Sequence, residues 1–429
     1  MTGQEAIAYI HSFNWEKHTP GLARIRTLLR ALGDPQKRMK FVHVAGTNGK
    51  GSTCAMLAAV LKAAGYRVGL NTSPYLVTFH ERVQVDGVPI SDGDLAAITE
   101  QVRPAAEAME EHPTEFELIT AIALLYFRQR DCDLVVLEVG LGGALDASNV
   151  IDVPEAAVLT AMGTDHVALL GPTLADIAAA KAGIIKPGGD VVSCGGCPEA
   201  DAVFRRVCEQ QNAHLTEVDF SRLRPQALTL DGSTFDFAPY EALRLPLAGA
   251  YQMKNAAVAI TALEILRRKG WRIPDAAIRD GLAAVRWPGR FEVLRRSPVF
   301  LLDGAHNAHG IAAAAESLRA LFPGQKLVFL LGILADKDVD HMLDLLAPLA
   351  RQVFTVRPDS PRALTAEALC GLLEARGIPA QVCSTVEAGV AAAIRAAGPD
   401  GAVCALGSLY FSGDVRRAVT KESESGPPV

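Results

Sequence analysis

The chain has 429 residues, a hydrophobic fraction of 49%, a charged fraction of 21% and a formal net charge of −6. This composition is typical of a globular protein of two or three domains, and the acidic balance argues against a nucleic-acid or anionic-membrane surface.

Eight cysteines scattered over a chain of this length favour reduced thiols in a cytoplasmic protein. Cys194-Gly-Gly-Cys197 has redox or zinc spacing but no second pair, so we interpret it as a loop. We expect neither a secretory leader nor a transmembrane helix.

A parallel α/β sheet is predicted to start with the apolar strand at 41–45. A glycine-rich turn follows, then an Ala/Leu-rich helix from near Ser52 to before Gly65, and a second strand at 66–70. The order of strand, loop, helix and strand is typical of such a sheet. Continuous apolar runs predict further buried strands at 134–139, 156–160 and 190–193.

The pattern changes after residue 215. Short polar and apolar stretches alternate over 215–248 around Asp231-Gly232, which predicts a small β-hairpin region. Helical periodicity resumes at 255–269 and 275–285, and 287–298 is a candidate domain boundary. Beyond it we predict strands at 299–302, 327–331, 352–356, 380–383 and 402–406, alternating with helices at 311–321, 339–349, 365–376 and 386–397.

The turn from Gly46 to Ser52 has the properties of a phosphate site. Backbone N–H groups and the positive end of a helix dipole attract phosphate at such a turn, while Lys50 adds a charge and Ser52 a hydroxyl. The usual P-loop pattern is broken twice, because Val44 replaces its first glycine and Gly51 separates Lys50 from Ser52. The alternative is a glycine-rich turn that binds no phosphate.

These elements together define an α/β fold of two domains. We predict an N-terminal P-loop-type parallel-sheet ATPase domain over 1–292 and a smaller, Rossmann-like α/β domain over 298–429. Two such domains joined by a short linker suggest an active site in the cleft between them.

The segment 45–52 resembles the loop of the folylpolyglutamate synthase and dihydrofolate synthase family, which is related to the Mur peptide ligases. The Mur loop lacks the extra glycine before the hydroxyl residue, so Gly51 favours the folate branch. Further segments resemble the family in the correct order, and they lie at 71–82, 114–117, 137–149, 165–171, 181–188, 247–255, 287–290, 302–307, 332–337 and 407–410.

The resemblance implies an ATP-dependent ligase that activates a carboxylate as an acyl phosphate for attack by the amine of L-glutamate. Its implied substrates are dihydropteroate and reduced folates, as in a bifunctional dihydrofolate synthase and folylpolyglutamate synthase. The alternatives are a monofunctional folylpolyglutamate synthase, a Mur-type or cyanophycin-type ligase, and a nucleotide-binding protein without ligase chemistry. We expect a cytoplasmic monomer that binds neither nucleic acid nor membrane.

A metal site is predicted at the end of the strand 134–139. Glu138 lies there, at the edge where parallel sheets bind ligands, and a carboxylate suits Mg²⁺; a hydrogen-bonded structural glutamate is the alternative. The resemblance implies that Ser73, Glu138 and His166 hold Mg²⁺, with a monovalent cation as a further candidate. It also implies that Lys181 is carbamylated and is catalytic together with Lys50 and His166. The alternative for Lys181 is a solvated lysine.

The resemblance further implies nucleotide and substrate contacts. Its ATP contacts are Gly49, Lys50, Gly51, Ser52, Asn255, Arg290 and Asp303. Its pterin contacts are Thr114, Glu115, Phe116, Glu117, Leu145, Asp146 and Ala147. Glu115 replaces a more usual aromatic or apolar residue, and Ser148 replaces a more usual threonine. His306 and Ser408 are the candidates for the incoming glutamate. Helix caps, a linker ion pair and an ordinary core aromatic are the structural alternatives.

Overall fold

The structure is a computed structural model that describes residues 1–13 and 20–424. Its contacts divide the chain into two compact units, a first unit of Met1–Ser221 with Asn255–Val285 and a second unit of Arg222–Lys254 with Arg286–Val429. Both units are α/β, which confirms the predicted fold class. The division at 292 and 298 stays a prediction, and Arg222–Lys254, assigned to the first domain from sequence, packs with the later segment.

The first unit is built on an eight-stranded sheet in the order β4-β3-β2-β5-β1-β6-β7-β8. All of its neighbouring strands are parallel except at β2–β3 and β3–β4. All residues of β1 and β5 are buried, as expected for strands covered on both faces. The strands are β1 (Phe41–Ala45), β2 (Val68–Asn71), β3 (Val83–Val85), β4 (Val88–Pro89), β5 (Leu134–Glu138), β6 (Ala156–Leu159), β7 (Asp190–Ser193) and β8 (His214–Glu217).

Several helices of the first unit begin at a side-chain cap. Thr114 and Thr173 each accept a hydrogen bond from the third helical N–H and form a capping box, which satisfies otherwise orphaned donors. The helices are α1 (Gly3–His11), α2 (Ala23–Ala31), α3 (Lys50–Ala63), α4 (Asp92–Glu107), α5 (Glu115–Gln129), α6 (Val167–Leu170), α7 (Leu174–Ala182), α8 (Pro198–Gln210), α9 (Tyr251–Arg268) and α10 (Asp275–Ala284). The first four residues of α9 belong to the second unit.

The second unit contains two sheets. An antiparallel sheet in the order β11-β10-β9 occupies the region predicted to hold a β hairpin. It consists of β9 (Leu223–Thr229), β10 (Gly232–Phe237) and β11 (Tyr240–Leu245). The other sheet has the order β12-β13-β17-β14-β15-β16, and only β12 is antiparallel to its neighbour.

The six-stranded sheet and its helices follow the predicted alternation. The strands are β12 (Glu292–Arg296), β13 (Val299–Leu302), β14 (Leu327–Leu331), β15 (Ala350–Thr355), β16 (Ala380–Val382) and β17 (Ala402–Leu406). The helices are α11 (Ala308–Leu321), α12 (Val339–Leu346), α13 (Ala366–Glu374), α14 (Val386–Ala397) and α15 (Ser412–Glu424). The candidate boundary region 287–298 stays a prediction, and it carries the edge strand β12.

The structure bears on two expectations from the sequence, that the chain has no transmembrane helix and that its cysteines are reduced. Among residues 1–13 and 20–424, no helix is both long and apolar enough to cross a bilayer. Within the same ranges, the eight cysteines form no disulfide bond.

Candidate active site

The loop between β1 and α3 is held open by glycines in conformations that side chains rarely adopt. Gly46 has φ of 150° and Gly49 has φ of 84°. A Cβ atom on Gly46 would lie 1.9 Å from Thr160 Oγ1, and one on Gly49 would lie 2.4 Å from Asn255 Oδ1. Both positions therefore require glycine, because a side chain would meet the neighbouring polar groups.

The rest of this loop is fixed by hydrogen bonds to the segment that follows β6. Thr47 N and Asn48 N donate to Ala161 O at 3.0 and 3.1 Å, and Thr47 Oγ1 donates to Gly163 O at 2.9 Å. α3 starts directly afterwards at Lys50, and its first N–H groups make a positive helix end. The arrangement fits a phosphate chain.

Lys50 and Ser52 extend this cradle. Lys50 Nζ donates to Thr47 O at 3.3 Å, so the ammonium folds back over the loop. Ser52 is buried, with 2% of its surface exposed, in the first turn of α3. A cation and a hydroxyl at this helix end are the groups that a nucleotide phosphate and its metal ion need.

Lys181 is buried, with 5% of its surface exposed, and is therefore not the solvated lysine that was the alternative. It lies in the last turn of α7, and its Nζ donates to Gly46 O at 2.8 Å, within the phosphate loop itself. Burial, and then the charge of Lys50, lower the pKa of Lys181 to about 7, although Asp165 and Asp146 oppose the shift. A neutral amine therefore becomes accessible near physiological pH.

Glu138 is the last residue of β5 and is also buried, with 4% exposure. Its Oε2 accepts a hydrogen bond from Ser73 N at 2.9 Å, so two of the three predicted metal ligands lie together. β5 is parallel to β1, and Glu138 is paired with Val44 in the register. The carboxylate is thus two residues from Gly46 along the neighbouring strand.

The third predicted ligand, His166, precedes α6 with φ of 53°. Its backbone N donates to Asp165 Oδ1 at 2.8 Å, and its Nε2 lies 3.8 Å from Asp165 Oδ2. In the part of the chain that the structure describes, no group of three His, Cys, Asp or Glu side chains could hold a metal ion. The predicted ligands are Ser73, Glu138 and His166, of which only two are of these residue types. The predicted metal site therefore stays a prediction.

The predicted pterin segment, Thr114 to Glu117, lies at the start of α5. Thr114, Glu115 and Glu117 make hydrogen bonds or ion pairs within the protein, and Phe116 contributes an aromatic ring. Glu117 Oε2 accepts from Thr114 N at 2.7 Å and from Arg24 Nε at 3.1 Å, a buried ion pair. Glu115 contacts His11 Nδ1 at 3.1 Å. The ring of Phe116 covers Gly140, where a Cβ would lie 2.5 Å from Cζ. These contacts leave the roles of Thr114 to Glu117 in binding substrate a prediction.

The second predicted pterin segment forms a turn after β5. Leu145 is 58% exposed and Ala147 is buried. The Asp146 carboxylate accepts hydrogen bonds from Leu141 N at 2.9 Å and Ser148 N at 3.0 Å. Burial raises the pKa of Asp146, and these hydrogen bonds oppose the rise. The turn also packs on α7, where Ala144 N donates to Ala180 O at 2.8 Å.

In the second unit, Asp303 follows β13 and is 2% exposed. Its Oδ2 accepts from Tyr251 Oη at 2.7 Å and from Phe291 N at 2.7 Å, and its Oδ1 accepts from Ala305 N at 2.8 Å. The Arg290 side chain lies next to it, against Gly304: a Cβ atom on Gly304 would be only 1.8 Å from Arg290 Nη1. The guanidinium therefore packs against Gly304, shortly after the end of β13.

The two candidate glutamate contacts are also in the second unit. His306 Nδ1 lies 2.7 Å from Gly304 O, which requires a proton on Nδ1 and leaves Nε2 as an acceptor in the neutral ring. Ser408 is 1% exposed, and its Oγ accepts from Tyr410 N at 3.1 Å. Both residues follow strands of the six-stranded sheet, β13 and β17.

Sequence reasoning missed three partners of the predicted residues. They are Arg24, which pairs with Glu117; Tyr251, which donates to Asp303; and His43, whose Nε2 lies 2.9 Å from Ser148 Oγ. His43 alone carried a signal in the sequence, because it interrupts the apolar strand β1.

Comparisons with protein families agree with this geometry. The family described as "Mur ligase middle domain" matches residues 44–263, and the family described as "Mur ligase, glutamate ligase domain" matches residues 289–409. Together the two matches span both the phosphate loop and the strand ends of the six-stranded sheet.

Individual proteins are similar over the whole chain. The Bacillus subtilis (strain 168) dihydrofolate synthase/folylpolyglutamate synthase is 39% identical over 430 residues, which cover 96% of this chain and 98% of that protein. The structure of Mycobacterium tuberculosis folylpolyglutamate synthase complexed with ADP superposes with a TM-score of 0.90 at 30% identity, covering 100% of this chain and 99% of the other. Escherichia coli FolC in complex with DHPP and ADP gives a TM-score of 0.87 at 31% identity, covering 99% of both chains.

Proposed function

The chain belongs to the dihydrofolate synthase and folylpolyglutamate synthase family of Mur-type ligases, and we propose that its phosphate loop, Glu138 and Lys181 form the centre that activates a carboxylate. It is an ATP-dependent ligase that adds L-glutamate to dihydropteroate, giving dihydrofolate, and to the γ-carboxyl group of folylpolyglutamates. The γ-phosphoryl group of ATP passes to a carboxylate oxygen with release of ADP. The glutamate nitrogen then attacks the acyl carbon, and phosphate and a proton leave.

The observation that carries this proposal is the contact between Lys181 and the phosphate loop. A buried lysine that donates to Gly46 O, with its pKa lowered to about 7, supplies the uncharged amine that reacts with CO₂. Carbamylation of the Lys181 amine releases a proton and leaves a carbamate anion, where a buried ammonium cation would be unfavourable. That anion is stabilised by Lys50, whose charge disfavours the protonated amine.

A magnesium site at the end of β5 completes this centre. Glu138 supplies a buried carboxylate and Ser52 a buried hydroxyl, while Ser73 approaches the carboxylate through its backbone N–H. The Glu138 carboxylate suits Mg²⁺; following the family resemblance, we assign the ion to Ser73, Glu138 and His166, and a monovalent cation is a further candidate. The metal neutralises charge on the phosphate oxygens when it is bound.

The remaining contacts are assigned by group. Gly49, Lys50 and Gly51 receive the phosphates of ATP with backbone N–H groups and one ammonium. Asn255, Arg290 and Asp303 are the further ATP contacts, and the Asp303 carboxylate is a suitable acceptor for ribose hydroxyls. The pterin is assigned to Phe116 and the neighbouring residues of its segment, with the turn Leu145, Asp146 and Ala147.

The incoming glutamate is assigned to His306 and Ser408. His306 Nδ1 lies 2.7 Å from Gly304 O, and this contact orients the imidazole ring shortly after β13. We propose that the protein acts as a monomer in the cytoplasm.

A phosphate-release assay tests the function. The protein is incubated with ATP, Mg²⁺ and either dihydropteroate, tetrahydrofolate or a UDP-muramyl substrate, each with and without L-glutamate. We expect glutamate-dependent phosphate release with the first two substrates, and mass spectrometry should find the glutamyl products. Activity with tetrahydrofolate alone would identify the monofunctional alternative, and activity with the UDP-muramyl substrate a Mur-type peptide ligase. ATP hydrolysis that is independent of glutamate in every arm would overturn the ligase proposal.

A further inference from the structure

A buried chain of three polar side chains connects β1 to the turn after β5. His43 is in the middle of β1 with no exposed surface, and its Nε2 lies 2.9 Å from Ser148 Oγ. The Ser148 hydroxyl, which is equally buried, donates to Asp146 Oδ1. The three residues come from two separate parts of the sequence, and neither His43 nor Ser148 belongs to the ATP or metal contacts.

The Asp146 carboxylate at the end of this chain closes the turn. Besides the Ser148 hydroxyl, it accepts hydrogen bonds from Ser148 N and Leu141 N. Both carboxylate oxygens therefore accept hydrogen bonds from donors of its own turn and of Ser148. The carboxylate determines the shape of residues 140–146, and the Phe116 ring lies against Gly140 at the start of that turn.

The direction of the hydrogen bonds follows from the charge of each group. Burial, and then the charge of Lys186, lower the pKa of His43 to about 3, so the ring is neutral and carries one proton. When Asp146 is ionised, the Ser148 hydroxyl must donate to it. Ser148 Oγ can then only accept from His43, which assigns the ring proton to Nε2.

This arrangement leaves His43 Nδ1 as a buried acceptor, and in the described part of the chain that atom has no hydrogen-bond partner. An orphaned ring nitrogen in an apolar strand is unfavourable compared with an aliphatic side chain. Packing would therefore favour a residue like the neighbours Val42 and Val44, which are fully buried. What the imidazole adds at position 43 is an N–H group directed at Ser148.

We propose that His43 and Ser148 are positioning residues for the pterin-containing substrate, which act through Asp146 to hold the turn 140–146 and the adjoining Phe116 face in their binding arrangement. The inference rests on the proposed function, since that proposal assigns this turn to the pterin. Loss of either positioning residue should weaken binding of the pterin substrate while leaving the nucleotide contacts in place.

Steady-state kinetics of four variants test this inference. His43→Leu and Ser148→Ala remove the hydrogen bonds, whereas His43→Gln and Ser148→Thr keep a donor and a hydroxyl at about the same places. We expect the KM for dihydropteroate to rise about tenfold in the first pair, the scale of one lost buried hydrogen bond, and to return to within about threefold in the second pair. The KM for ATP should change less than about twofold throughout.

The buried core variant Val102→Ala in α4 is the control for a loss of stability, with melting temperatures measured for the five variants and the wild type. The inference is overturned if the KM values for dihydropteroate and ATP rise together, or if His43→Leu and Ser148→Ala behave like Val102→Ala. If His43→Leu does not fold, the Ser148 pair decides. A wild-type protein that does not ligate glutamate to dihydropteroate would overturn the proposed function as well, whereas active wild type with unaffected variants overturns only this inference.

Discussion

Lys181 in the first unit and Asp303 in the second are buried ionisable groups with opposite surroundings. In the first unit, Lys181 is buried with a hydrogen bond to Gly46 O, and its pKa is lowered to about 7. In the second unit, Asp303 is equally buried but accepts hydrogen bonds from Tyr251, Phe291 and Ala305. A poorly solvated amine can change its charge and react, whereas a carboxylate that accepts several hydrogen bonds is fixed in orientation. We infer that the first unit carries the chemistry and the second fixed recognition groups.

The largest expected effect comes from Lys181→Arg. A guanidinium keeps its charge and cannot be carbamylated, so kcat should fall by about a hundred- to a thousandfold, as when a preorganised charge is lost. Glutamate-dependent phosphate release measures the loss, and circular dichroism checks that the variant is folded. Lys186→Arg is the matched control, because Lys186 is also partly buried with a lowered pKa. Near-normal turnover of Lys181→Arg would remove the contrast between the units.

A smaller effect is expected for Gly49→Ala. The substitution forces a side chain into a positive φ of 84° and against Asn255 Oδ1, so the KM for ATP should rise about tenfold from strain and displacement of the loop. Gly188→Ala is the control, since Gly188 has φ of 68° but no atom within 4 Å of its would-be Cβ. Equal KM values in the two variants would show that the phosphate loop has no special need for glycine.

The dependence on pH and CO₂ should be weaker, on the order of severalfold. Because the pKa of Lys181 is lowered from 10.5 to about 7, the neutral amine increases as pH rises through about 7. Enzyme depleted of CO₂ should therefore regain more activity from bicarbonate at pH 8 than at pH 6. In this form, stability should also rise with pH between about 7 and 10.5, where the unfolded chain binds more protons.

Two further measurements make the bicarbonate experiment decisive. Lys181→Arg should not respond to bicarbonate at either pH, which separates carbamylation from a general salt effect. Mass spectrometry under native conditions should find the added carboxyl mass at alkaline pH. Activity that is unchanged by removal and return of bicarbonate would contradict carbamylation, although the lysine would still lie on the phosphate loop.

How much the sequence predicts depends on what determines each feature. β1 at Phe41–Ala45 and β5 at Leu134–Glu138 were predicted because continuous apolar runs are enough to mark strands buried on both faces. The strands β3, β4, β8 and β12 were missed, because they lie at or near sheet edges, where periodicity is weak; β3 and β4 are also short. The position of Glu138 at a strand end was also predicted correctly from the local pattern.

The electrostatics of the site could not be predicted in the same way. Lys181 was correctly placed near a helix end, but its burial depends on packing against Gly46, which is 135 residues away in sequence. His43 and Tyr251 act through partners that only the fold brings close. Sequence motifs therefore identify residue types and strand ends, whereas pKa shifts and positioning contacts arise from tertiary structure.

The smallest expected effect tests the second unit. Tyr251→Phe removes one of the three donors to Asp303 and keeps the edge-on contact with the ring of Phe291 at 6.5 Å between centroids. Because two backbone N–H groups still hold the carboxylate, the KM for ATP should rise only about threefold, with kcat nearly unchanged. Tyr126→Phe is the matched control, since Tyr126 also donates to an aspartate, Asp94, outside the proposed contacts. A large fall in kcat for Tyr251→Phe would mean that Asp303 takes part in the chemistry, and the division of roles between the units would then be wrong.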